Sequence, residues 1–212
     1  MINFDYINEY IRSTIRKQEG MLAELEAYAA ANRVPVIQPE VAALLTVLGR
    51  LVRPSRVLEV GTAIGYSSIL LAGLLEAGGR LDTIERSELM IEKASENIKR
   101  AGLEKIIHII PGDASEVLGC LDKQYDLIFL DAAKGQYPDF LPECLRMLGK
   151  GGLLVSDNVL YKGMVASDEL VVRRKKTIVT RMRRYLKSIC ENGELDTSLL
   201  PVGDGVALSY KR

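Results

Sequence analysis

The chain is 212 residues long, 48% hydrophobic and 26% charged, with 28 basic side chains balanced by 28 acidic ones. That is enough apolar material for a full core in one domain or at most two small ones, and a zero net charge leaves any nucleic-acid partner to be read from local clusters. Cys120, Cys144 and Cys190 form no C-x-x-C pair, which excludes a zinc ribbon or disulfide framework and fits a reducing compartment.

No apolar run is long enough to span a bilayer and no basic, apolar leader opens the chain, so a cytoplasmic protein with no membrane partner is expected. Residues 1 to about 50 predict helices, because Ile7, Tyr10, Ile11 and Ile15 recur at spacings of three and four, and Met21, Leu22, Leu25, Tyr28 and Ala29 repeat the pattern. Pro35 and Pro39 force an extended segment over 32–39, able to close over a cofactor. A helix from Glu40 through Leu48 stops near Arg53-Pro54. These elements read as a helical extension (1–50) on a core (51–212), together one domain (1–212), and they must pack on the sheet, cover the site or meet a partner chain.

The core begins with RVLEVGTAIGYSS at 56–68. Val57, Leu58 and Val60 predict a strand buried on both faces, as in parallel sheets. Gly61 and Gly65 bracket a tight turn, and a helix over 65–77 follows. The spacing is G-x-x-x-G and not the G-x-G-x-x-G that sets a helix N-terminus against a pyrophosphate, so a cofactor without a diphosphate is favoured. A second strand (80–84) ends in Glu85, 24 residues after Gly61, where an acid can accept from ribose hydroxyls. After a helix over 87–101, a third strand (106–110) ends in Pro111-Gly112-Asp113-Ala114, with Asp113 where an adenine edge would lie. A nucleoside held by carboxylates suggests S-adenosylmethionine.

A short helix from Ser115 leads to a fourth strand (125–130) ending at Asp131, and a helix over 137–148 to a fifth (153–155) ending in Ser156-Asp157-Asn158. Strands alternating with helices predict an α/β fold, a parallel sheet with right-handed crossovers and helices on both faces. Asp131, Asp157 and Asn158 offer three hard oxygens without Cys or His, which suits Mg²⁺, Mn²⁺ or Ca²⁺; strand-end turns also favour Asp and Asn. His108 lies within a strand and reads as structural. Residues 171–187 predict a helix with eight Lys or Arg and no acid. Such a run is either a solvated face or a footprint for phosphates, with Arg173, Arg174, Lys175 and Lys176, joined by Arg33 and Lys162 near the pocket mouth, as candidate RNA contacts. Two final strands, 197–202 and 206–210, flank Gly203-Asp204-Gly205, a hairpin signal that turns the last strand antiparallel.

That topology resembles the Rossmann-like class I S-adenosylmethionine methyltransferases, with a seven-stranded, mostly parallel sheet and an antiparallel C-terminal hairpin strand. The segments VLEVGTAIGYSS, LDTIER, PGDA, FLDAAKGQY and SDNVLYKG resemble, across nearly the whole chain, the metal-dependent O-methyltransferases of the catechol and caffeoyl-CoA type. FLDAAKGQYPDF, DNVLYKGMVA and PVGDGVALS are similar to the bacterial branch that methylates 5-hydroxyuridine at the tRNA wobble position to 5-methoxyuridine. The resemblance implies Mg²⁺ on Asp131, Asp157 and Asn158, ribose on Glu85, adenine on Asp113 beside Ala114, and a methionine end lined by Ile37, Ser67 and Asp131 near Glu59 and Gly61. Lys134 falls where catechol enzymes place a lysine near the reacting hydroxyl; it is either the base or an ion-paired surface lysine. The same resemblance implies a homodimer and an anticodon-loop substrate. A small-molecule O-methyltransferase acting on catechols would use the same catalytic parts, whereas a non-catalytic cofactor-binding protein has no reason to keep three metal-type oxygens.

Overall fold

The computed structural model describes residues 2–212. Seven strands form one sheet in the order β3-β2-β1-β4-β5-β7-β6: β1 Arg56–Val60, β2 Arg80–Glu85, β3 Ile107–Pro111, β4 Tyr125–Leu130, β5 Leu148–Ser156, β6 Leu195–Leu200 and β7 Val206–Lys211. The first five run parallel, while β7 is antiparallel to both β5 and β6. The class I methyltransferase topology expected from the hairpin signal is therefore present.

Alternation along the strands builds the two faces. On β4, Leu127 and Phe129 enter one core with Val57, Leu45, Tyr66 and Leu71, and Ile128 and Leu130 enter the other with Leu58, Tyr137, Met182 and Tyr185. The first core is covered by α2 (Gly20–Asn32), α3 (Pro39–Val52), α4 (Tyr66–Ala72) and α5 (Glu88–Arg100); the second by α6 (Ala114–Cys120), α7 (Tyr137–Met147) and α8 (Lys176–Cys190). A further helix, α1 (Asp5–Thr14), is tied to α3 by Arg12, which donates to Glu40 (2.8 and 2.9 Å) and to Gln38 (2.7 Å). No helix among the described residues is long and apolar enough to cross a membrane.

Three elements differ from expectation. The helix after the glycine turn covers only Tyr66–Ala72, because Gly73 closes it and Leu74 folds back onto Gly49 of α3, where a Cβ would come within 2.6 Å of Leu74. The fifth strand begins at Leu148, its glycine-rich start absorbed by a bulge that shifts the register against β4 between Tyr125 and Leu127. Arg173, Arg174 and Lys175 are not on the basic helix; they form a separate 3₁₀ turn, and α8 begins at Lys176.

The chain visits β1, β2 and β3 toward one edge, then returns to β4 beside β1 and continues toward the other. The switch point lies between β1 and β4, where the ends of neighbouring crossovers leave a crevice for ligands. Val60 is level with both Ile84 and Leu130, so the three strand tips open onto it together.

Candidate active site

The turn after β1 is shaped by backbone geometry before any ligand arrives. Gly61 has φ +109°, and a Cβ there would lie 2.4 Å from the Asp131 carbonyl oxygen, so only glycine lets the ends of β1 and β4 approach this closely. Thr62 O accepts from the Gly65 amide (2.8 Å), and the buried Asn97 of α5 donates to Ile64 O (2.9 Å), pinning the turn from behind. Beside it lies a cavity of about 280 Å³ lined by Ile37, Gly61, Ser67, Glu85, Asp113, Ala114, Asp131 and Lys134 among others. Eight residues singled out from five separate stretches of sequence thus meet in one hollow, and Pro35, Val36 and Ile37 of the extended segment form a wall of it.

Within this hollow the acids are held differently. The Glu85 carboxylate accepts from the amides of Ala63 (3.0 Å), Arg86 (2.9 Å) and Ser87 (2.9 Å). Asp113 caps α6, accepting from the Ser115 amide (3.0 Å) and hydroxyl (2.5 Å), with Arg86 at 3.3 Å; these bonds hold its carboxyl below the ordinary range. Glu59 is not a wall residue. It is 0% exposed beneath the cavity, accepts from Thr83 (2.6 Å) and Ser68, and has one oxygen with no hydrogen-bond partner. Burial pushes its carboxyl up to about 7 against the pull of the Ser67, Ser68 and Thr83 hydroxyls.

Asp131 and Asp157 are brought side by side by the sheet itself. The Asp131 amide donates to Val60 O (3.0 Å) and the Asp157 amide to Leu130 O (2.9 Å), so the ladder runs one residue past the strand ends. Tyr137 braces both, donating to Leu130 O (2.8 Å) and to Asp157 O (3.2 Å). Burial raises the Asp131 carboxyl to about 6, opposed by Lys134, whose Nζ lies 3.8 Å from Oδ1. Asp157, 1% exposed, is raised to about 8 by burial and by Asp131, against the Asn158 amide (2.6 Å) and Lys134; Asp204 adds to the rise.

A buried carboxyl, Asp157, raised in part by the half-buried Asp131 beside it, marks a place short of positive charge. Asn158 follows at φ +55°, a left-handed conformation that asparagine tolerates. Among the described residues no three His, Cys, Asp or Glu side chains gather as a metal site; the set expected from the sequence is two carboxylates and an amide, of which only Asp131 lines the cavity. All three offer hard oxygen, which fits Mg²⁺, Mn²⁺ or Ca²⁺ and not zinc.

None of the candidate RNA contacts is part of the cavity lining. Arg33 ends α2, two residues before Pro35, and Lys162 is exposed on the loop after Asn158. Lys175 lies 5.7 Å over the ring of Tyr161, three residues after Asn158, while Arg173 and Arg174 share its 3₁₀ turn and Lys176 opens α8. Two other cations of the run are engaged: Arg181 donates to Gly135 O and pairs with Asp139, and Arg183 pairs with Asp168 (2.7 Å) and donates to Val165 O (2.9 Å). His108 sits on edge strand β3 against Asp82 (3.2 Å), outside the cavity.

Sequence reasoning missed Tyr66 and Tyr137. Tyr66 lines the cavity and donates to Glu26 of α2, tying the N-terminal helices to the glycine turn. Both tyrosines lie within motifs already singled out, GYSS and AAKGQY, and that membership is the signal the sequence carries.

Comparison with known proteins agrees with this geometry. The O-methyltransferase family model matches residues 12–212. A catechol O-methyltransferase from Niastella koreensis is 31% identical over 97% of this chain and 96% of its own, and a caffeoyl-CoA O-methyltransferase from Populus kitakamiensis is 31% identical over 77% and 73%. The crystal structure of an O-methyltransferase from Bacillus cereus, in complex with SAH, superposes with a TM-score of 0.86 at 27% identity, covering 98% of this chain and 97% of that one. The strand order, the glycine turn and the acids at the strand tips thus belong to a chain that is a member of the O-methyltransferase family.

Proposed function

We propose that this O-methyltransferase transfers the methyl group of S-adenosylmethionine to the 5-hydroxyl of 5-hydroxyuridine at the tRNA wobble position. S-adenosylmethionine supplies the methyl group. Glu85 accepts from its ribose hydroxyls and Asp113 with Ala114 borders the adenine, while Gly61, Ser67 and Ile37 border the methionine end above the buried Glu59. The B. cereus relative that binds SAH supports this part of the reading.

Asp131, Asp157 and Asn158 would hold a divalent cation, which would supply the positive charge that acidifies an acceptor hydroxyl. Lys134, whose Nζ lies 3.8 Å from Asp131 Oδ1, would take the hydroxyl proton once deprotonated. As the acceptor oxygen bonds to the methyl carbon, the carbon–sulfur bond breaks and SAH leaves. The chain's own contribution is alignment: strand tips one ladder step apart present acceptor and donor in a fixed relation.

The observation that carries the RNA reading is Lys175, 5.7 Å over the ring of Tyr161 on the loop that follows Asn158, within the unbroken cationic run Arg173-Arg174-Lys175-Lys176. A second reading, methylation of catechols or caffeoyl-CoA-like diols, is favoured by the names of the relatives and needs no basic turn. Both acceptors present two adjacent oxygens. Nucleoside mass spectrometry of 5-hydroxyuridine-containing tRNA, incubated with the protein, S-adenosylmethionine and Mg²⁺, decides between them. The RNA reading expects 5-methoxyuridine, lost on charge reversal of residues 173–176 while any catechol turnover persists. Catechol methylation with no 5-methoxyuridine would replace it with the second reading.

A further inference from the structure

The hairpin turn Pro201-Val202-Gly203-Asp204-Gly205 contains an acid that the chemistry above does not use. Its neighbourhood is the loop carrying Asn158. Within five residues, that loop places three non-glycine side chains in the left-handed region, Asn158 (φ +55°), Tyr161 (+44°) and Lys162 (+58°), followed by Gly163 (+79°). Each is uphill for an L-residue and persists only where the surroundings impose it.

The hairpin imposes it. Val159 donates to Gly205 O (2.9 Å), Leu160 to Asp204 O (3.0 Å), and the Lys162 amide to the Asp204 carboxylate (2.5 Å). The first two bonds use backbone carbonyls that any residue would provide. The third uses a side chain, and it falls on Lys162, the last non-glycine residue of the left-handed run. The turn itself does not need that carboxylate, since Gly203 and Gly205 supply its positive φ values, and a Cβ at either would strike Val41 (2.7 Å) or Leu160 (2.5 Å). An acid half-exposed in a turn already fixed by glycines has its partner in the loop opposite.

We propose that Asp204 is a positioning residue of the acceptor site: through the Lys162 amide it locks the 158–163 loop, and with it Asn158, in the conformation that completes the cation-binding oxygens. This rests on the reading of Asn158 as a cation ligand. Two variants of the full chain separate the roles of the bond and the charge. Asp204→Asn keeps an oxygen to accept from Lys162; Asp204→Ala removes it.

Three measurements are made on each: amide hydrogen exchange over residues 158–163, Mn²⁺ affinity of the SAH-loaded protein by electron paramagnetic resonance, and SAH affinity by calorimetry with the melting temperature. Asp204→Ala is expected to lose protection at Lys162 and to bind Mn²⁺ roughly 10- to 100-fold more weakly, with SAH affinity and melting temperature unchanged and Asp204→Asn restoring both losses. Wild-type exchange or wild-type Mn²⁺ affinity in Asp204→Ala overturns the proposal. So does a parallel fall in SAH affinity and melting temperature, which marks a residue serving the fold. If the wild-type protein binds no Mn²⁺, the cation assignment fails separately, and exchange over 158–163 then decides whether Asp204 positions the loop.

Discussion

The two pairs of strand tips satisfy their acids in opposite ways. At the tips of β2 and β3, Glu85 accepts from amides of its own turn and of the β1 turn and Asp113 from its own turn, and Asp113 titrates below the ordinary range. At the tips of β4 and β5, the half-buried Asp131 and the buried Asp157 lie together with one lysine nearby, and both are pushed upward, to about 6 and about 8. The first pair is complete without a ligand. The second is built around a charge that the chain alone does not supply, so a cofactor is expected to bind to the protein as it stands, whereas acceptor chemistry waits on a cation.

The comparison breaks most sharply at Asp157. Asp157→Ala removes a hard oxygen and the electrostatic reason for the cation, so methyl transfer is expected to fall by roughly a thousandfold or more, about 4 kcal/mol of transition-state stabilisation. SAH affinity measured by calorimetry should stay within about twofold, since the donor half is self-contained. Equal losses in both would mean that the halves are not independent.

Lys134→Met is expected to lower kcat by roughly a hundredfold, within the usual range for a general base, with little change in the KM for S-adenosylmethionine. A pH–rate profile checks it: if Lys134 takes the proton, the variant loses the limb assigned to that base, and an unchanged profile makes Lys134 a partner of Asp131 only. On the donor side, Glu85→Gln keeps acceptor geometry toward Ala63 but loses the charge. It is expected to raise the KM for S-adenosylmethionine by roughly tenfold, about 1.4 kcal/mol, with kcat preserved.

The smallest expected effect is on stability. Asp131 and Asp157 have folded-state pKa values raised above those of the unfolded chain, so the folded state holds protons that the unfolded state has released. Stability from these groups is present in full below about pH 4 and is lost as pH rises through about 6 and then about 8. Without divalent cations, the melting temperature measured by calorimetry should therefore fall between pH 5 and pH 8 through this pair. Asp157→Asn should flatten the dependence, and Mg²⁺ should restore more stability at pH 8 than at pH 5.

Much of the donor half was legible in the sequence because parallel strands are continuous apolar runs, and the first polar residue after each run marks a strand tip. Glu85, Asp113, Asp131 and Asp157 were all read that way, as was the topology from its alternation and final hairpin. What stayed illegible has physical causes. Glu59 sits inside a strand, and no local pattern separates a cavity wall from a buried acid held by hydroxyls of α4 and β2. The end of α4 depends on Leu74 finding Gly49, a contact made across sequence. The basic run read as one helix because charge carries no periodicity, whereas the structure spends Arg181 and Arg183 on internal partners and sets residues 173–175 in a separate turn.

The account turns on whether the charge-poor pair at the tips of β4 and β5 accepts a cation. Titration of Mn²⁺ into the SAH-loaded protein, followed by electron paramagnetic resonance of the free ion, is the direct test. The account predicts one ion per chain, with affinity lowered by at least tenfold in Asp131→Asn and in Asp157→Asn. Wild-type affinity in both variants, with SAH still bound, would contradict it.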